Sequence, residues 1–74
     1  MIAQDLISFE QRTGYLPGNL HLAVRGYAAE SELMMVLDTC IGLLRNLSQV
    51  DTLSSSEEDF LSTFGPVSDV YWGN

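Results

Sequence analysis

The chain has 74 residues, with three arginines, no lysine, ten acidic side chains and 46% hydrophobic content, for a formal net charge of −7. Such a length allows one domain, and a chain this short buries only about 60% of the surface its unfolded form exposes, so its core calls for a supplement. The charge opposes any polyanionic partner: nucleic-acid binders need arginine and lysine to release counterions, and anionic membranes attract basic segments.

Arg12, Arg25 and Arg45 fall in three different segments, so no local basic stripe exists and direct binding to DNA or RNA is not expected. Cys40 is alone and cannot bridge within the chain, which removes a disulfide as the supplement and favours a reducing, cytoplasmic setting. The first residues lack a basic stretch leading into an apolar one. The longest apolar run, residues 33–44, is broken by Asp38 and falls short of the ~20 residues a membrane span requires. No membrane partner and no leader segment are expected.

In chain order, Ile2, Leu6 and Phe9 recur at helical spacing and predict an amphipathic helix over about 2–13. Arg12 suits its C-terminal dipole, Gly14 can take the left-handed position after it, and Tyr15 would then meet Phe9 across the cap. Pro17-Gly18 reads as a turn. Asn19 can start a short helix over about 19–27 through Leu20, Ala23, Val24 and Tyr27, although residues 20–24 also alternate partly, as a short strand would. A break is expected near 26–30.

The main helix, about 31–48, has its polar residues in pairs seven apart, Ser31-Glu32, Asp38-Thr39 and Arg45-Asn46, which stack into one wedge. The rest is apolar or small, so this helix needs cover on several sides, more than one short helix of the same chain supplies. Residues 49–56 read as an acidic, serine-rich loop that feeds a helix over about 56–64. Ser54 and Ser55 stand three before Glu57 and Glu58, both with capping-box spacing. Gly65-Pro66 should end that helix, leaving an apolar tail over 66–74 that packs on the core or on a neighbour. The fold class is therefore all-α, a small bundle of three to four helices completed by homodimerisation through the central apolar helix.

No catalytic residue, cofactor or metal site is expected. His21 and Cys40 are the only histidine and cysteine, but Cys40 lies within the most apolar helix, where burial makes a thiol inert. One histidine and one cysteine match no zinc spacing. An EF-hand begun at Asp51 would put Leu53 at position three, Ser56 at six and Ser62 at twelve, each the wrong residue. The glycines are dispersed, with no phosphate-cradling loop. Ser54, Ser55 and Ser56 precede acids and are candidate phosphate acceptors.

The leading expectation for function is a non-enzymatic binding regulator or inhibitor. It dimerises through Leu33, Met34, Val36, Leu37, Ile41 and Leu44, and it presents an acidic face, Glu57, Glu58 and Asp59, to a protein with a basic surface, for example a nucleic-acid-handling one. Tyr71 and Trp72 are candidate interface aromatics. The alternative is a structural subunit or dedicated chaperone whose apolar helix a different protein covers permanently.

Overall fold

The computed structural model describes residues 2–26 and 29–73, and over them the chain is all-helical: α1 (Ile2–Thr13), α2 (Leu20–Gly26), α3 (Glu30–Val50) and α4 (Ser55–Tyr71). Tyr27, assigned above to the second helix, and Asn74, the end of the expected tail, lie outside the described residues.

Ile2, Leu6 and Phe9 turn the apolar face of α1 inward. Gly14 ends the helix in the left-handed region at φ +73°, its N–H donating to the Glu10 carbonyl at 2.7 Å. Thr13 Oγ1 donates to the Phe9 carbonyl at 2.8 Å, which satisfies a further carbonyl of the last turn. Tyr15 packs edge-on against Phe60 of α4 at 6.2 Å, and Phe60 in turn against Phe9 at 5.5 Å, so the aromatic of the distant helix takes the place expected for Phe9 itself.

Gly18 turns the chain with φ +56°, and Leu20 donates to the Pro17 carbonyl at 3.1 Å. The Asn19 carbonyl then accepts from Ala23 at 3.0 Å, so the helical reading of residues 20–24 holds over the strand one. Leu20, Ala23 and Val24 face the core.

Leu33, Met34, Leu37, Cys40, Ile41 and Leu44 of α3 are all buried, with Val36 half-buried beside them. At 100° per residue they span an arc of about 120°, and α1, α2 and α4 all pack against this helix. The cover that one short helix of the same chain could not supply comes, for these residues, from three helices of it. The cover underestimated from sequence is α4, which runs 17 residues along α3 instead of stopping at Phe64.

That extension overturns two expectations, the stop at Gly65-Pro66 and the tail over 66–74. Pro66 lies inside α4, where it lacks the N–H that would reach the Ser62 carbonyl. The residue before a proline is normally pushed out of helical backbone by its own Cβ, and Gly65 has none. Ser62 is exposed, so its freed carbonyl can meet water. Beyond the proline, Ser68 is fully buried with its Oγ donating to Asp38 Oδ1 at 3.1 Å, and Asp69 pairs with Arg45. These contacts offset the break.

At its start α4 has a complete capping box. Ser54 Oγ accepts from the Glu57 N–H at 3.2 Å, and Glu57 Oε1 accepts from the Ser54 N–H at 2.8 Å. The loop expected over 49–56 is shorter than read, since α3 continues to Val50 and α4 begins at Ser55, and Leu53 between them joins the core.

Candidate functional site

The three arginines have the same structural use. Arg12 of α1 meets Asp59 of α4 at 3.4 Å, Arg25 of α2 meets Glu10 of α1 at 2.7 Å, and Arg45 of α3 meets Asp69 of α4 at 3.0 Å. Arg45 is bidentate, with Nη1 to Asp69 Oδ1 at 3.3 Å, and that hydrogen bond holds the guanidinium's pKa up. It passes over Gly65, where a Cβ would stand 3.1 Å from Nη2. Each of the three arginines thus ties one helix to another. Ten carboxylates less these three leave seven that no arginine neutralises.

Cys40 is buried in α3 with Sγ 3.8 Å from the Pro17 carbonyl oxygen, and burial pushes its thiol up, away from the nucleophilic thiolate. His21 is exposed on α2, its Nδ1 3.2 Å from the Gly18 carbonyl oxygen. Among the described residues no group of three or more His, Cys, Asp or Glu side chains is placed to hold a metal ion, and no helix is long and apolar enough to cross a membrane.

The residues expected to self-associate occupy the core of one chain: Leu33, Met34, Leu37, Ile41 and Leu44 are buried and Val36 half-buried, so they do not form a free surface. The apolar residues that α3 does turn outward are Met35, Leu43, Leu47 and Val50, with Leu43 64% and Val50 83% exposed. From Val36 to Val50 the only charged residues are Asp38 and Arg45, and both are engaged with α4. Between Val36 and Val50 the outer face of α3 therefore carries no unengaged charge, while the exposed Glu32 stands on the same line one turn before Val36.

Glu57, Glu58 and Asp59 do not form one face. Successive helical residues diverge by about 100°, and each has a different fate: Glu57 caps α4, Asp59 holds Arg12 and accepts from Thr63 at 3.4 Å, and only Glu58 is freely exposed. Alanine at all three positions would remove a cap and an ion pair along with the charge.

Tyr71 and Trp72 stand at the far end of α4, 43% and 41% exposed, stacked edge-to-face at 5.0 Å. Val70, 80% exposed, lies beside them. Tyr71 lines a shallow groove of about 340 Å³ with Ile2, Asp5, Glu30, Met34 and Val67. Glu30 Oε1 accepts from the Ile2 N–H at 3.3 Å, which joins the starts of α1 and α3 across the groove floor. Asp5 and Val67 also line the next depression along the α1–α4 seam, where Phe9 and Phe64 meet at 5.5 Å.

Sequence reasoning found the two aromatics but missed Asp5, Glu30 and Val67. The signal was present: Phe60, Phe64, Val67 and Tyr71 recur at four, three and four residues, a helical period that continues through Gly65-Pro66. No protein-family model, curated protein or solved structure matches the chain.

Proposed function

We propose that this chain is a non-enzymatic binding regulator that acts on a protein with a basic surface. The observation that carries this is the use of all three arginines in interhelical pairs, which leaves an outward charge made of carboxylates beside the exposed Val70, Tyr71 and Trp72. A nucleic-acid-handling protein is one such partner, because carboxylates can replace phosphates in charge complementarity. The single, buried cysteine fits a reducing, cytoplasmic setting.

Self-association belongs to the same reading, moved to the outer face of α3. Val36, Leu43 and Val50 are spaced by seven. In an antiparallel pair centred on Leu43, Val36 of one copy lies opposite Val50 of the other, and the exposed Gly42 lets the helices approach. The centre of this face, from Val36 to Val50, brings no unengaged carboxylate to such a pair; Glu32 and Asp51 stand at its two ends. What weighs against a structural subunit held in an obligate complex is the closure of the core within one chain.

Affinity capture from the native host with this chain as bait, at low and raised ionic strength, tests the reading. The expected catch is a basic protein released by salt. Recovery of acidic proteins only, or of partners indifferent to salt, would contradict it.

A further inference from the structure

We infer that the groove between α1 and α4 docks a basic amphipathic segment of the partner protein, its apolar side chains on Val67, Val70 and Tyr71 and its arginine or lysine side chains on Asp5 and Glu30. This rests on the proposed function above and assigns its place and its ligand chemistry.

Charge complementarity decides the occupant. Asp5 and Glu30 line an apolar groove whose described lining includes no cation, Glu30 also accepting from the Ile2 N–H, and Arg12 of the neighbouring depression is held by Asp59. A second copy of the chain would bring more carboxylates to this rim, since its own arginines are each bound across its own helices. An arginine- or lysine-bearing segment supplies what is missing.

Shape agrees with charge. Phe60, Phe64, Val67 and Tyr71 share one face of α4. Phe9 of α1 covers the first two, while Val67 and Tyr71 remain open at 40% and 43% exposure. The last turns of α4 therefore continue a core face without a cover, which leaves Val67, Val70 and Tyr71 open to an apolar ligand side chain. Tyr71, which lines the groove, stacks edge-to-face on Trp72, and the pair presents large aromatic area to a ligand.

The test is titration of the isotope-labelled full chain, followed by amide shifts, with three synthetic peptides. One has leucines at helical spacing among lysines and arginines, the second has the same composition scrambled, and the third has glutamate in place of the cations. Binding of the first is expected to shift Asp5, Glu30, Val67 and Tyr71, and to weaken by about tenfold in a combined Asp5→Asn, Glu30→Gln variant and in Tyr71→Ala. The scrambled peptide should bind less tightly and the glutamate peptide not at all. Val70→Ser, an uncharged change at an exposed position, serves as the second apolar variant should Tyr71→Ala fail to fold, and it too should weaken binding. Shifts confined to another surface, such as that around Asp51 and Glu58, would overturn the groove while leaving the basic-partner reading intact. Equal binding of the glutamate peptide would overturn the charge argument, and no binding of the basic peptide at low salt would overturn both.

Discussion

Ser54 and Glu57 form a closed pair of hydrogen bonds at the start of α4, whereas Ser55, with the same spacing to Glu58, lies one residue inside the helix. Ser54→Ala is therefore expected to lower stability by about 1 kcal/mol and Ser55→Ala by much less, read as a shift in urea midpoint at constant slope. Equal effects would contradict the cap assignment. Burial raises the Cys40 thiol above its ordinary 9.0 and the Tyr15 phenol above 10.0, the latter first through desolvation and then through the nearby charge of Glu57. Raised values mean that the unfolded chain loses these protons first. Stability should be level with respect to both groups below about pH 9 and decline as pH rises beyond it, and Cys40→Ala should shallow that alkaline slope. An unchanged slope, followed by circular dichroism, would remove Cys40 from the titration. Residues whose partners are close in sequence were legible: Gly14 announces a cap by its position, and local spacing offered two capping boxes, of which Ser54 with Glu57 is the one formed. Arg45 with Asp69 and Asp38 with Ser68 were not, because no periodicity pairs side chains 24 and 30 positions apart.

Helix α4 sets local punctuation against periodicity. Gly65-Pro66 signals a stop, but the period through Phe60, Phe64, Val67 and Tyr71 persists, and the contacts that let periodicity win, Ser68 to Asp38 and Asp69 to Arg45, lie on another helix. Pro66→Ala restores the Ser62 hydrogen bond and removes the ring clash, effects of about 3 kcal/mol, against up to about 1 kcal/mol lost because the unfolded chain gains freedom. The substitution should raise stability by about 2 kcal/mol in urea unfolding. A lower midpoint would show that the proline supports the native helix. At Gly65 a Cβ would meet the Pro66 ring and would stand 3.1 Å from Arg45 Nη2, so Gly65→Ala should lower the urea midpoint, and by less when Arg45 is also alanine. For α1 and α2 the bounds were close to legible because each has one apolar stripe, a local stop and a neighbour near in sequence. For α3 the apolar excess was legible, but its division into a core arc and an outer face depended on how far α4 extends.

Over the whole molecule, the apolar content that suggested an incomplete core splits into two parts. One part, Leu6, Leu20, Met34, Leu37, Ile41 and Phe60 among others, closes within a single chain. The other, Leu43 and Val50 on α3 and Val70 on α4, stays outside. Leu37→Asp places an unpaired carboxylate in the closed part at a cost of several kcal/mol, which a domain with a typical 5–15 kcal/mol of stability scarcely survives; loss of helical ellipticity is the expected outcome. Leu43→Glu alters the outer part alone and separates folding from association. The most direct measurement is sedimentation equilibrium of the wild-type chain and of Leu43→Glu over a range of concentrations, with circular dichroism on the same samples. The expected result is a reversible wild-type dimer and a variant that is monomeric yet fully helical. A wild type that is monomeric throughout would contradict association through α3, and a variant that unfolds as it dissociates would contradict a core closed within one chain.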